Sequence, residues 1–213
     1  WRNYGLHGMD DYINKFLSTN KITIIACGTS WHSALIAEYM FEKIAKISVE
    51  VEYASEFRYR DPVVNKDDII IAISQSGETA DTLAAIKLAK SRGAFIYGIC
   101  NVVGSSIARE SDSGSYTHAG PEIGVASTKA FTTQMTVLYM MAVKLSKSKG
   151  VISEKLFRQY LTEISTIEKK VNEALSSNNE IKKIARKFKD SKNCLYLGRG
   201  YNFPIALEGA LKL

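Results

Sequence analysis

Several features that would assign this chain to a special class of protein are scarce or absent. It has three prolines in 213 residues and no low-complexity block, which excludes a proline-rich or disordered chain. Its three cysteines are unevenly spaced without a CxxC pair, so we expect reduced cytoplasmic thiols, with no disulfide framework and no metal. No secretory signal is evident at the N-terminus. The longest apolar helical pattern, residues 130–143, is shorter than the about 20 residues that span a bilayer, so no membrane partner is expected.

The net charge of +6 is concentrated in one region of the chain. Residues 144–192 hold 13 Lys/Arg and 6 Asp/Glu, and the remainder is close to neutral. The lysines fall between apolar positions at helical spacing, without the interleaved aromatic side chains on which nucleic-acid bases stack. The excess charge therefore predicts a solvated helix face, and no nucleic-acid partner is expected.

Short β-rich segments alternate with helical patterns from Ile22 onward, which is typical of parallel strands joined by crossover helices. The predicted strands are 22–27, 48–53, 68–74, 94–100 and 115–118, and the predicted helices are 33–45, 79–91, 105–110 and 127–148. Three of these strands are continuously apolar, as strands covered on both faces must be. The sequence thus predicts an α/β fold, with a three-layer α/β/α domain built on a parallel sheet over residues 20–149.

The alternation of β-rich and helical segments ends at Gly150. A long amphipathic helix and a second helix at 180–189 predict a helical connector over residues 150–190. Residues 193–200 then resemble a strand entering a glycine turn, and a helix follows, as at the opening of the first domain. We therefore expect residues 191–213 to be the truncated start of a second domain, in a fragment of a longer protein. Residues 1–19 are predicted to be a linker or an added segment.

The segment SQSGET at residues 74–79 joins a buried strand to a helix. A helix N-terminus presents unpaired N–H groups and a partial positive charge, and Ser74, Ser76 and Thr79 add hydroxyl donors around the same anion. The loop contains no lysine, and neither the Walker A nor the GxGxxG spacing is present, which disfavours a nucleoside triphosphate or a dinucleotide. A small phosphorylated metabolite fits this loop better.

A second hydroxyl-rich loop, residues 27–33, follows the first predicted strand. Open parallel sheets bind ligands at the carboxyl ends of their strands, so Thr29 and Ser30 are expected to face the same crevice as the 74–79 loop. Helix capping would explain these two hydroxyls equally well. His32 is interpreted as a helix-cap or surface histidine rather than a ligand contact.

Seven motifs, in order along the chain, carry a resemblance to a known family. They are ACGTS at 26–30, ASEFRYRDP at 54–62, SQSGETADTL at 74–83, ICNV at 99–102, GSS at 104–106, EIGVASTKAFTTQ at 122–134 and ALEGALKL at 206–213. Residues 22–213 resemble the isomerase region of the glutamine:fructose-6-phosphate amidotransferases, within the sugar isomerase (SIS) domain superfamily. The SxSGxT motif alone would indicate only the superfamily.

This resemblance implies roles for particular residues. The phosphate of fructose 6-phosphate or glucosamine 6-phosphate would be held by Ser30, Ser74, Gln75, Ser76 and Thr79, the sugar would be contacted by Thr29, Val125 and Ser127, and Lys212 would lie in the catalytic region. The family transfers ammonia to the sugar ketone and isomerises the product to the aldose, without a cofactor. The Schiff-base lysine, the acid/base glutamate and the ring-opening histidine would lie beyond Leu213.

The resemblance also implies partners: an N-terminal glutaminase domain, the remainder of the second SIS domain, and a second copy in a homodimer with residues 53–60 as a contact region. The fragment itself is expected to bind sugar phosphate without turning it over. An alternative is an SIS-domain sensor that reports sugar phosphate to a DNA-binding module, without a second SIS domain. A single-domain isomerase would instead need its acid/base pair within residues 1–149.

Overall fold

One parallel five-stranded sheet forms the centre of the molecule. In the computed structural model, which describes residues 6–124 and 127–213, the strand order is β2-β1-β3-β4-β5. The strands are β1 (Lys21–Ala26), β2 (Ser48–Tyr53), β3 (Ile69–Ser74), β4 (Phe95–Cys100) and β5 (Ser113–Tyr116). All pairings are parallel, which confirms the predicted α/β fold. The last strand begins two residues before its predicted position.

Helices follow the strands and cover both faces of the sheet. They are α1 (His7–Asp10), α2 (Ile13–Ser18), α3 (Thr29–Met40), α4 (Ala54–Tyr59), α5 (Ala80–Ser91), α6 (Ser106–Glu110), α7 (Lys129–Ser148), α8 (Glu154–Ser165), α9 (Ile167–Leu175), α10 (Asn178–Phe188) and α11 (Asn202–Lys212). Helix α3 starts four residues before its predicted position and ends in a π-helical turn, Phe41–Ala45.

Alternate side chains of the central strands pack into two separate cores. Ile24 of β1 and Ile71 of β3 face the core shared with α3 and α7, whereas Ile25 and Ile70 face the core shared with α5. Because successive side chains of a strand point to opposite faces, this division follows directly from the continuous apolar runs. The result is the three-layer arrangement predicted from the sequence.

The described part of the N-terminal segment, residues 6–18, is not a linker. Its helices α1 and α2 bury Met9 and Phe16 completely, and the Phe16 ring lies edge-on to Tyr97 with ring centroids 5.6 Å apart. The backbone carbonyl of Gly8 accepts a hydrogen bond from the Ser113 hydroxyl of β5 at 2.8 Å. The interpretation as linker is wrong here, because helices of four and six residues are too short to show a periodic pattern.

The region after α7 also differs from the prediction in its details. The predicted long helix is divided at Thr166 into α8 and α9. Residues 193–197, predicted as a strand, have no regular structure, and Leu195 and Leu197 are exposed. A strand needs a neighbour to pair its N–H and C=O groups, and none lies beside this segment in the described chain. The division into two SIS domains and a connector stays a prediction.

No helix within residues 6–124 or 127–213 is long and apolar enough to cross a bilayer.

The burial of Phe16 makes the role of α2 testable. Replacing Phe16 with alanine removes an aromatic ring from a closed core and should lower the free energy of unfolding by about 3 to 5 kcal/mol. Leu17→Ala, the neighbouring exposed position, should change it by no more than about 0.5 kcal/mol. Urea denaturation of both variants measures the difference. Equal stability of the two would show that residues 6–18 are not part of the folded domain.

Candidate functional site

Parallel pairing of β1 with β3 brings two hydroxyl-rich loops to the same edge of the sheet. Ile25 of β1 lies opposite Ala72 of β3, so both strands end within a few residues of each other at their carboxyl ends. The 27–33 loop then leads into α3, and the 74–79 loop leads into α5. Both helix N-termini are thus placed at one crevice, as expected for an open parallel sheet.

The hydroxyl groups of the 74–79 loop are held by hydrogen bonds within the loop. The Ser74 hydroxyl lies 3.0 Å from the Thr79 hydroxyl and accepts a hydrogen bond from the Gly77 N–H at 3.0 Å. The Ser76 hydroxyl accepts from the Glu78 N–H at 3.2 Å. Thr79 occupies the N-cap position of α5 but makes no capping bond with its side chain. Its hydroxyl contacts the Ser74 hydroxyl within the loop and does not cap the helix.

The loop is held rigidly against α6 by Gly77 and Glu78. Gly77 has φ +68, and a Cβ atom there would lie 1.9 Å from the Ser105 hydroxyl oxygen. The Glu78 carboxylate accepts a hydrogen bond from the Ser106 N–H at 2.7 Å, and the hydrogen bonds with Ser106 lower the pKa of Glu78. Glu78 therefore has a structural role, since it holds the loop against the neighbouring helix α6.

In the 27–33 loop, Ser30 is positioned by α7. The Ser30 hydroxyl oxygen accepts a hydrogen bond from Nε2 of Gln134 at 2.9 Å, and the Gln134 amide oxygen accepts from the Ser33 hydroxyl at 3.0 Å. All three side chains are buried. Because its oxygen accepts this bond, the Ser30 hydroxyl keeps its own proton for donation to a ligand. Gln134 is thus a supporting residue that sequence reasoning did not single out.

The other side of the crevice contains a buried carboxylate, Glu208 of α11. Its Oε1 accepts hydrogen bonds from the Thr29 hydroxyl at 3.1 Å and from the Lys212 ammonium at 2.6 Å, and its Oε2 lies 2.6 Å from Nδ1 of His32. Lys212 also donates to the backbone carbonyl of Ser127 at 2.8 Å. This set joins the first turn of α3, the start of α7 and the last helix.

The predicted site residues therefore fall into two groups. Ser74 and Thr79 are hydrogen-bonded to each other, with Ser76 in the same loop, whereas Thr29 and Lys212 both contact Glu208. The backbone carbonyl of Ser127 accepts from Lys212. Ser30 is held between α3 and α7. Gln75 lines a cavity of about 560 Å³ together with Asn101, His118 and Glu122. Val125, the remaining predicted contact, lies outside the described residues.

Sequence reasoning missed Glu208 and misread His32. His32 is neither a cap nor a surface residue, since it is 6% exposed and paired with Glu208. Nothing near His32 in sequence could have shown this, because its partner is 176 residues away. For Glu208 there was a signal: it and Lys212, four residues later, are the two charged residues of the otherwise uncharged helix α11. Such a pairing is compatible with a buried ion pair.

The chemistry available at the crevice is that of anion and oxygen recognition. The 74–79 loop offers hydroxyl donors and the N-terminus of a twelve-residue helix, which together suit a phosphate dianion. The ammonium of Lys212 adds a positive charge on the other side of the crevice. Within residues 6–124 and 127–213, no group of three or more His, Cys, Asp or Glu side chains is placed to hold a metal ion.

Comparison with known families identifies the class of protein to which this fold belongs. The SIS domain family matches residues 15–144, which is more than half of the chain. The chain therefore belongs to the SIS domain family.

Individual relatives are more specific. The chain is 60% identical over 208 residues to glutamine–fructose-6-phosphate aminotransferase [isomerizing] from Chlorobaculum tepidum, covering 98% of this chain and 34% of that protein. The enzyme of the same name from Bacteroides thetaiotaomicron is 56% identical over 211 residues, with 99% and 34% covered. The chain thus spans about a third of the length of these relatives.

Among solved structures, the C-terminal domain of glucosamine-fructose-6-phosphate aminotransferase from Francisella tularensis superimposes with a TM-score of 0.91. It is 45% identical, and the match covers 95% of this chain and 58% of that one.

The close approach of Gly77 to Ser105 yields a prediction about the loop. Gly77→Ala should destabilise the protein by about 1 to 2 kcal/mol for the left-handed backbone and by about 1 to 3 kcal/mol more for the clash. Gly120→Ala isolates the first of these costs, because Gly120 has φ +70 and no atom within 4 Å of the added Cβ. Urea denaturation compares the two variants.

A second substitution tests the clash directly. Ser105→Gly removes the two atoms that lie closest to the added Cβ, so it should recover much of the stability lost in Gly77→Ala. If Gly77→Ala lowered the free energy of unfolding no more than Gly120→Ala does, the close packing of the 74–79 loop on α6 would be contradicted. The same would hold if adding Ser105→Gly to Gly77→Ala restored no stability.

Proposed function

We propose that this chain is the sugar-phosphate-binding part of a glutamine–fructose-6-phosphate aminotransferase. As part of that whole protein it would bind fructose 6-phosphate and convert it, with ammonia derived from glutamine, to glucosamine 6-phosphate. The observation that carries the proposal is the 60% identity to such an enzyme over nearly the entire chain. The geometry of the 74–79 loop supports it.

In this proposal the phosphate lies at the N-terminus of α5. Ser30, Ser74, Gln75, Ser76 and Thr79 would hold its oxygens. Hydroxyl and backbone N–H donors are well suited to this, because a hydrogen bond to a charged acceptor contributes about 1.5 to 3 kcal/mol, roughly twice a neutral one. Thr29, Val125 and Ser127 would contact the sugar.

Lys212 would direct its ammonium toward the sugar oxygens from the other side of the crevice. Glu208, the nearest carboxylate to Lys212, accepts from Thr29 and Lys212 and pairs with His32, so it is not free to take a proton from a carbon atom. We therefore propose that the isolated chain binds sugar phosphate without turning it over. Its acid/base groups would be supplied by the remainder of the second SIS domain, and its ammonia by an N-terminal glutaminase domain.

The protein containing this chain would act in the cytoplasm. The three cysteines of this chain, Cys27, Cys100 and Cys194, are free thiols, and burial raises the pKa of Cys100 to about 11. A thiol with so high a pKa is protonated at neutral pH and is a poor nucleophile.

Calorimetric titration of the chain with fructose 6-phosphate and glucosamine 6-phosphate tests the binding site. The double variant Ser76→Ala, Thr79→Ala should weaken binding by about 100-fold or more, because it removes two charge-assisted hydrogen bonds of about 1.5 to 3 kcal/mol each. Ser91→Ala is the matched control, since Ser91 lies exposed at the opposite end of the same helix.

Fructose without a phosphate group serves as the second control and should not bind measurably. Equal affinity for fructose and fructose 6-phosphate, or an unaltered affinity in the double variant, would contradict a phosphate site in the 74–79 loop. Formation of glucose 6-phosphate from fructose 6-phosphate by the purified chain would contradict the proposed lack of turnover.

We further propose that the chain forms a homodimer through the region of residues 53–60. Tyr59 is 74% exposed there, and the Arg58 guanidinium lies over its ring, 4.9 Å from the centroid. Light scattering at high protein concentration should give twice the monomer mass, and Tyr59→Ala should shift the mass toward the monomer. A monomer in the unaltered chain would contradict the dimer.

A further inference from the structure

We propose that His32 is a positioning residue for Lys212, acting through the Glu208 carboxylate. The three side chains form a chain of contacts in which Glu208 Oε2 meets His32 Nδ1 at 2.6 Å and Glu208 Oε1 meets Lys212 Nζ at 2.6 Å. This rests on the proposed function in one respect only, that the Lys212 ammonium serves the sugar-binding crevice.

His32 and Glu208 form a buried pair. The side chains of His32 and Glu208 are 7% and 5% exposed, so water cannot readily replace either partner. An ionised carboxylate only accepts hydrogen bonds, so the atom facing Oε2 must carry a proton. His32 therefore carries a proton on Nδ1, and the bond assigns its tautomer when the ring is neutral.

Each oxygen of the Glu208 carboxylate has a partner that limits how the carboxylate can turn. Oε1 is shared between the Thr29 hydroxyl and the Lys212 ammonium, and Oε2 has the imidazole as its partner. Removing the Nδ1–H donor leaves Oε2 unpaired in a buried place, and the carboxylate can then turn about its last bond to share Lys212 or Thr29 differently. The direction of the ammonium would change with it.

The His32 ring is itself held in place by its neighbours. The backbone N–H of His32 donates to the Gly28 carbonyl at 3.1 Å in the first turn of α3. The adjacent Trp31 ring lies 5.4 Å from the imidazole and is stacked on Tyr53 with centroids 4.0 Å apart. A rigid donor can orient a flexible acceptor, which is what a positioning residue must do.

The first test follows the Lys212 ammonium directly in this chain, without any ligand. The Cε carbon of Lys212 is observed by NMR in protein labelled with ¹³C-lysine and assigned with Lys212→Arg. His32→Leu should displace this resonance, and His32→Asn should return it, because the asparagine amide places an N–H donor near the position of Nδ1. His7→Leu, at an exposed histidine, should leave it unchanged.

The unaltered protein provides a test that does not depend on the folding of any variant. The ¹⁵N shifts of the His32 ring should show a proton on Nδ1. A neutral ring protonated only on Nε2 would overturn the proposal, as would a Lys212 resonance unaffected by His32→Leu.

A kinetic test uses the intact enzyme that contains these residues. His32→Leu should lower kcat by about 10- to 100-fold while KM changes by about 2-fold or less, because the phosphate contacts are untouched. His32→Asn should recover most of kcat. A change in KM alone would overturn the positioning role.

The two proposals can fail separately. If the chain does not bind fructose 6-phosphate but the Lys212 resonance follows His32, the proposed function is wrong and the positioning contact stands. If fructose 6-phosphate binds and the Lys212 resonance is unchanged in His32→Leu, the proposed function stands and the positioning role is overturned.

Discussion

The site depends on the parallel pairing of β1 and β3. Parallel neighbours need a crossover, and each crossover helix must begin at the edge where its strand ends. The N-termini of α3 and α5 therefore lie side by side, with their partial positive charges directed at one crevice. The two cores hold this geometry, because the strands bury apolar side chains on both faces. The hydroxyl-rich loops 27–33 and 74–79 therefore lie at the carboxyl edge of the sheet, outside both cores.

The Glu208 carboxylate imposes a second constraint. A buried charge is costly unless donors surround it, and here a hydroxyl, an imidazole and an ammonium do so. Removing one partner of such a buried pair typically destabilises a protein by about 3 to 5 kcal/mol, whereas the intact pair adds little net stability. The contacts therefore specify where α11 docks on α3 more than they strengthen the fold.

The sheet and the 74–79 loop could be predicted from the sequence because both depend on local signals. Apolar runs mark buried strands, and the hydroxyl- and glycine-rich SQSGET marks the turn from a strand into a helix. The pairing of His32 with Glu208 could not be predicted, since it joins residues 176 positions apart. Helices α1 and α2 were missed because they are too short for periodicity. The strand expected at residues 193–197 was wrong, because strand propensity is not realised without a pairing partner.

Helices α9 and α10 bury none of their side chains, in contrast to every helix packed on the sheet. Their backbone hydrogen bonds can open without disturbing either core, so this stretch should exchange its amide protons far sooner than β1 or β3. Helices α9 and α10 thus act as a tether that links α11 to the domain on which it docks. Docking of α11 is then a unimolecular equilibrium governed by effective concentration, set by the length and stiffness of the tether and independent of dilution.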